Sequence, residues 1–375
     1  MLEVAVRHSF EGFTLDAAFR APPGVTVLFG RSGSGKTTIV NAVAGLLMPD
    51  AGRIASGDWT LLDTDAGIRL KPHRRRLGYI FQEGRLFPHL TVRQNLGYGA
   101  WFAPRDAPRE EIGHVVDLLG IGHLLDRRPG ALSGGEKSRV AIGRALLSAP
   151  RLILADEPLA ALDEARKAEI LPYFERLRDE VSIPILYVSH SASEVARLAT
   201  TVVALDAGRV VSQGPAAEVL GDPAVLPAGA REAGAVLTAR VVRHHEDGLS
   251  ELEAGGIPLF LPHVVQVPGS TLRVRIAAHD VLLSRSRPEG LSALNILPGT
   301  VAEVRPGEGP GAIVALETAA GRVLARITRR SAAALGIAPG VEVHAVVKTV
   351  SVAPSDIGVG GRAISSLGRH SGGDA

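Results

Sequence analysis

The chain has 375 residues, 46% of them hydrophobic, a formal net charge of +2 and no cysteine. That length points to two or three domains with proper cores; the missing cysteines exclude disulfides, thiolate metal sites and cysteine nucleophiles, and so small a charge implies no general affinity for nucleic acid. Met1-Leu2-Glu3-Val4 lacks the basic start of a signal peptide and no apolar run is long enough to span a bilayer, so a cytoplasmic protein is expected, with partner chains for any work at a membrane.

Residues 2–29 alternate apolar and polar runs broken by Glu11-Gly12 and Pro22-Pro23-Gly24, and read as strands. The last, Val25-Thr26-Val27-Leu28-Phe29, runs into Gly30-Arg31-Ser32-Gly33-Ser34-Gly35-Lys36-Thr37-Thr38, which fits the P-loop pattern G-x-x-x-x-G-K-[ST]; a helix is predicted over 39–47. The glycines let consecutive backbone N–H groups turn toward one anion, Lys36 reaches the outer phosphates, and the Thr37 hydroxyl can hold Mg²⁺. The implied ligand is a nucleoside triphosphate with magnesium. Only 5 of the 41 basic residues are lysines, and a compact ammonium suits a phosphate cradle better than a planar guanidinium.

After a turn at 49–52, short strands run to about residue 70, and Lys71-Pro72-His73-Arg74-Arg75-Arg76 reads as a solvated basic loop. Residues 77–90 start as a strand and end as a loop carrying Leu86, Phe87 and Pro88, apolar side chains that need either internal packing or a partner surface. Residues 92–127 read as helices with breaks around Pro104 and Pro108. Ser133, Gly134, Gly135 and Glu136 open a helix running to residue 147; they suit an N-cap, or a phosphate held at the helix start. Residues 151–155 form an apolar strand ending in Asp156 and Glu157. Adjacent carboxylates there ask for a cation: Asp156 would hold Mg²⁺ and Glu157 would orient or deprotonate the attacking water. A helix then runs to about residue 181, and a further strand over 183–188 ends in Ser189-His190. Parallel strands that end at one edge gather their termini at a ligand crevice, which draws His190 into the site.

Taken together, these residues resemble the ATPase subunit of ATP-binding cassette (ABC) transporters. Residues 30–37 match its Walker A motif, 152–156 its Walker B and 132–136 its signature, while Gln82, Asp163 and His190 match its Q-, D- and H-loops. The resemblance covers about residues 1–230. It implies a head-to-tail dimer trapping two ATP molecules, with Ser133, Gly134, Gly135 and Glu136 meeting the ATP held by the partner. It also gives catalytic roles to Glu157, His190 and Gln82, with Gln82 joining Thr37 and Asp156 around magnesium, and an aromatic platform for adenine at Phe10 or else Phe13. Glu136 stands where most of the family has glutamine. Molybdate importers of the family share that glutamate, and resemble this chain again at 125–130, 141–147, 186–190 and at Arg85-Leu86-Phe87-Pro88-His89, where they receive the membrane permease. The function implied is that of an ATPase at the cytoplasmic face of the membrane, energising import of molybdate delivered by an extracellular or periplasmic binding protein. The same role for sulfate, iron, a polyamine or a sugar is the alternative. A soluble cassette acting on ribosomes or DNA fits less well, because there is one cassette and no sustained heptad pattern.

The fold class expected is therefore an α/β P-loop domain of ABC type followed by a small all-β barrel domain. Residues 231–286 read as a linker and first β repeat, 287–352 as a second β domain, and 353–375, rich in glycine and serine, as a disordered tail. Leu237-Thr238-Ala239-Arg240-Val241-Val242 parallels Leu297-Pro298-Gly299-Thr300-Val301-Ala302, and Val267-Pro268-Gly269 parallels Ala338-Pro339-Gly340, so two similar barrels, or two halves of one, follow. Residues 292–301 resemble the start of a molybdate-binding Mop domain, with Leu294 in the place of its arginine. The resemblance makes Ser292, Asn295 and Lys348 candidates for an oxyanion site, beside the alternative of a purely structural or dimer-forming barrel. His244 and His245, adjacent on a strand, point to opposite faces and suit no shared metal.

Overall fold

The computed structural model describes residues 1–82, 84–103, 110–160, 162–181, 183–222, 233–307 and 309–360. Strands β1 (Leu2–Phe10) and β2 (Phe13–Ala21) form a hairpin, and β3 (Val25–Gly30) leads into α1 (Lys36–Ala44), which begins three residues before the predicted helix. Then follow β4 (Ala51–Ser56), β5 (Trp59–Asp63), β6 (Ile68–Arg69), β7 (Leu77–Ile80), α2 (Val92–Phe102), α3 (Ile112–Leu119), α4 (Gly134–Leu147), β8 (Leu152–Asp156), α5 (Glu164–Glu180), β9 (Ile185–Ser189) and α6 (Ala192–Leu198). The hairpin β10 (Thr201–Asp206) and β11 (Arg209–Gly214) and the short α7 (Ala216–Leu220) complete this part. One sheet takes all eleven strands, in the order β6-β5-β4-β1-β2-β11-β10-β3-β9-β8-β7.

From β10 to β7 the neighbours are parallel, and the inner strands β3, β9 and β8 are buried on both faces, as a parallel sheet requires. The period of two sorts their side chains. Val25, Val27 and Phe29 of β3, Ile153 and Ala155 of β8, and Ile185 and Tyr187 of β9 pack with α3–α6. Leu28, Leu152, Leu154, Leu186 and Val188 point the other way, onto α1 and the β1–β2 hairpin. Because β3, β8 and β9 run the same way, their carboxyl ends share one edge, and Gly30, Asp156 and Ser189 are their last residues.

The basic run 71–76 departs from the reading of a solvated loop. Arg75 is buried, its Nη1 donating to the carbonyls of Ala42 (2.7 Å) and Val43 (2.8 Å) and its Nε to Leu70 O (2.8 Å). The last carbonyls of α1 have no partner within the helix, and a cation answers both them and the negative end of the dipole. Gly45 closes the helix with φ 76°, and a Cβ there would lie 2.7 Å from the guanidinium. Arg75→Ala is expected to lower stability by about 2–3 kcal/mol, the worth of bonds from a charged donor to buried carbonyls. Chemical unfolding reads it; an unchanged midpoint would make Arg75 a bystander.

The second part comprises β12 (Gly234–His244), β13 (Leu249–Ala254), β14 (Ile257–Pro262), β15 (Thr271–Ala277), β16 (Val281–Ser284), β17 (Asn295–Pro306), β18 (Gly311–Thr318), β19 (Gly321–Thr328), α8 (Arg329–Ala334), β20 (Glu342–Val347) and β21 (Ile357–Val359). They form two five-stranded sheets, β14-β13-β12-β15-β21 and β16-β20-β17-β18-β19, around one apolar core. These are two halves of one unit. The paralleled segments lie on β12 and β17, each bulged at the same place, between Val241 and Arg243 and between Val301 and Glu303. Gly269 N donates to Val241 O and Gly340 N to Val301 O, both at 2.8 Å. Each half also lends a strand to the other: β16, which follows β15, pairs with β20, and β21, which follows β20, pairs with β15.

That exchange corrects the expectation of a disordered tail from residue 353. Residues 354–359 form a 3₁₀ turn and a strand; of the remainder, 361–375 lie outside the described residues, as do 223–232 of the expected linker. The same strand docks the unit on the first part. Arg178 Nη2 donates to Val359 O (2.9 Å), Val359 N to Glu175 Oε1 (3.3 Å) and Arg273 Nη1 to Ala199 O (2.6 Å), so α5 and α6 both carry the β unit.

Candidate functional site

The loop after β3 has its shape because only glycine fits. A Cβ on Gly30 would lie 2.4 Å from Leu205 O, and one on Gly35, at φ 101°, 2.8 Å from Leu15 Cδ1. Gly35 is the N-cap of α1 and no side chain caps that helix, so its first N–H groups face the loop and suit an anion. Lys36 is buried, its Nζ donating to Gly30 O at 2.7 Å and Arg31 O at 2.8 Å. Burial pulls its pKa down, and the charges of Glu157 and Asp156 oppose that.

Asp156 ends β8, with Oδ1 accepting from Thr37 Oγ1 at 3.2 Å and Oδ2 from the Tyr79 hydroxyl at 3.4 Å. Burial pushes its pKa up and Glu157 adds to that, while Thr37, Tyr79 and Lys36 hold it down. A half-buried carboxylate beside a hydroxyl, both hard oxygen donors, fits Mg²⁺, which neutralises the charge that burial penalises. Tyr79 was not singled out by the sequence. It stands on β7, paired in register with Leu154 of β8, and only the sheet brings it to the aspartate.

Glu157 takes φ 45°, a left-handed conformation uncommon for a residue with a side chain. Its N–H donates to Val188 O (3.2 Å), and its Oε1 lies 3.5 Å from His190 Nδ1. That pairing joins the ends of β8 and β9, as the shared sheet edge predicts. A cleft of about 460 Å³ gathers Ser32, Gly33, Gly35, Lys36, Thr37 and Thr38 with Gln82, Asp156, Glu157 and both Phe10 and Phe13. Phe10 is 44% exposed; its ring lies 6.2 Å from that of Phe13 and packs edge-to-face with His8, so both phenylalanines stand at the cleft as candidates to meet a flat ligand.

The signature residues are not part of that cleft's lining. Ser133 caps α4 in a capping box: its Oγ accepts from Glu136 N (3.3 Å) and its N–H donates to Glu136 Oε2 (2.7 Å). The glutamate is committed to the cap, and the Ser133 N–H bond holds its pKa down. Asp163 caps α5 through Arg166 N (2.9 Å). A second groove joins Gln82 to Gly134 and is lined also by Leu86, Pro88, Lys137 and Arg166. Phe87 takes another course. Its half-buried ring lies 4.3 Å from that of Tyr98, tilted by 45°, and under Arg144, and its backbone N–H and carbonyl are held by Asn95, so internal packing takes part of it.

In the β unit, Ser292 and Lys348 are exposed but Asn295 is buried. Its Oδ1 accepts from Phe260 N (2.6 Å) and its Nδ2 donates to Phe260 O (2.9 Å), so this carboxamide joins the two sheets and is set apart by burial from the other two candidates for an oxyanion site. His244 and His245 take separate partners, Ser250 and Glu251.

A model of the ABC transporter family matches residues 16–160, and a TOBE domain model matches 291–354. The "Molybdenum import ATP-binding protein ModC" of Rhizobium meliloti is 53% identical over 94% of this chain and 99% of its own length. The protein of that name from Mesorhizobium japonicum is 52% identical, over 96% and 98%. Among solved structures, cbiO1 from Clostridium perfringens, part of the ABC transporter complex cbiONQ, is similar with 28% identity and a TM-score of 0.51, over 59% of this chain and 90% of that one.

Proposed function

The chain belongs to the family of molybdenum import ATP-binding proteins of ABC transporters, and on that premise we propose that it binds and hydrolyses ATP to energise molybdate import through separate membrane chains. The observation that carries the chemistry is the left-handed turn at Glu157, which sets its carboxylate beside His190 at the P-loop cleft. The triphosphate lies along the loop's N–H groups, Lys36 reaches its outer phosphates, and adenine rests on Phe10 or Phe13. Thr37, Asp156 and Gln82 would hold Mg²⁺, which supplies charge neutralisation at the phosphates. Glu157 takes a proton from water as its oxygen bonds to the γ-phosphorus, the bond to the β–γ bridging oxygen breaks, and ADP and phosphate leave. His190 steadies the γ-phosphate.

Ser133, Gly134 and Gly135 stand outside their own chain's cleft, which suits a head-to-tail pair of copies in which each signature meets the other's ATP. Among the described residues, no helix is long and apolar enough to cross a membrane. The groove at Leu86, Pro88 and Gln82 is where a permease segment would dock on the cytoplasmic side. Uptake of labelled molybdate, with excess sulfate as competitor, tests the solute in cells carrying this chain or its Glu157→Gln form. Uptake that needs Glu157 and resists sulfate is expected; molybdate uptake unaffected by the substitution would assign the ATPase to another solute.

A further inference from the structure

One buried carboxylate behind the cleft is unused by the hydrolysis just derived. Glu194 lies in the first turn of α6, four residues after His190, and is 5% exposed. A carboxylate is buried at little cost only when it is paired and hydrogen-bonded, and Glu194 is both. Its Oε2 accepts from the Tyr187 hydroxyl at 3.0 Å and from the Ser189 hydroxyl at 2.8 Å, both on β9. Its Oε1 lies 3.9 Å from Lys167 Nζ on α5. Burial pushes its pKa up, against the pull of Ser189, Tyr187, Lys167 and His190.

The spacing Ser191-x-x-Glu194 is that of a capping box, in which the glutamate reaches back to the N–H of the cap residue. Glu136 does so in α4 and Gln94 does the equivalent in α2. In α6 only half of the box forms: Glu194 N donates to Ser191 Oγ at 3.4 Å, but Ser191 N donates to Ser189 Oγ at 3.0 Å. The glutamate side chain has left the cap for the interior, and the Ser189 hydroxyl stands between the two, receiving from Ser191 and donating to Glu194. Both neighbours of His190 in the chain are therefore tied to one buried carboxylate. The imidazole itself is 56% exposed and faces Glu157 Oε1 at 3.5 Å, so its aim depends on the backbone that carries it as well as on that contact.

We propose that Glu194 is a positioning residue for ATP hydrolysis, fixing the chain on both sides of His190 and, through Lys167, tying that turn to the helix that Asp163 caps. The inference rests on the reading of His190 as the γ-phosphate contact. Glu194 touches no substrate; a displaced imidazole is the consequence of its loss, and displacement by about 1 Å can cost on the order of 10²-fold in rate.

The test uses the full chain, with steady-state ATPase assays and nucleotide titration. Glu194→Ala is expected to lower kcat by about 10- to 100-fold with ATP affinity kept within about twofold. Glu194→Gln, which keeps an oxygen for both hydroxyls, should restore most of the rate. In a His190→Ala background, Glu194→Ala should cost less than about twofold, because residues acting through one another are not additive. An equal loss in both backgrounds, or an unimpaired Glu194→Ala beside an impaired His190→Ala, would overturn this inference alone. Normal hydrolysis by His190→Ala would overturn the reading of His190 and this inference with it. Should Glu194→Ala fail to fold, Ser189→Ala removes only the linking hydroxyl and carries the same test with the same signs.

Discussion

Glu157→Gln is expected to bind ATP as the unaltered chain does and to hydrolyse it about 10²–10⁴-fold more slowly, the range that a positioned general base contributes. The substitution keeps the shape of the side chain and an oxygen within reach of water, and removes only the capacity to accept its proton. Whatever strain the φ of 45° at residue 157 stores is shared by both forms, so it cancels in the comparison. The amide is close enough in shape to keep the place of the carboxylate 3.5 Å from His190 Nδ1. Single-turnover hydrolysis and nucleotide titration separate the two effects. Near-normal turnover would take Glu157 out of the base's role and leave water activation to the phosphate itself. Because the signature lies outside the chain's own cleft, the slow variant should also accumulate as an ATP-dependent dimer in size-exclusion chromatography. A monomer at saturating ATP would count against the head-to-tail pair.

What was legible in the sequence was what the local backbone enforces. A P-loop is eight consecutive residues, here 30–37, whose first and last glycines, Gly30 and Gly35, are dictated by the approach of Leu205 and Leu15, so its spelling and its shape are one fact. The strand ending in Asp156 and Glu157 carries its own address in the same way, and His190 followed from the parallel order of β3, β8 and β9. The residues that were missed or misread depend on partners far along the chain. Arg75 looked solvated because nothing in its neighbourhood announces that α1 ends against it, some thirty residues earlier. Glu194 was hidden by a capping pattern that the structure only half uses. The C-terminal strand was lost in a glycine-rich stretch, although the repeat contained the clue: the segment after Leu272–Ala277 returns to the other half as a strand, and its counterpart had to do the same.

Lys36→Ala should weaken ATP binding by about 10- to 100-fold, the worth of a charge-assisted hydrogen bond at roughly 1.5–3 kcal/mol converted to affinity. Two effects compete in that number. Truncation removes the ammonium, which would meet the phosphates and which donates to Gly30 O and Arg31 O, and it also removes the buried stem whose packing helps to hold the loop. Lys36→Met separates them, because it keeps the length of the stem and its packing while deleting the charge. If charge at the phosphates is the cause, Met and Ala should lose affinity alike, with magnesium present or absent. If the loop collapses, Ala should lose more than Met and should also unfold at a lower temperature. Lys36→Arg answers a third question. The cradle formed by Gly30 and Arg31 carbonyls holds a compact donor that is 4% exposed, and a larger planar guanidinium would press on the end of β3 that supplies them. It should therefore fail to restore affinity although it restores the charge; full rescue by arginine would mean that the charge alone, and not the fit of the ammonium, selects lysine at this position.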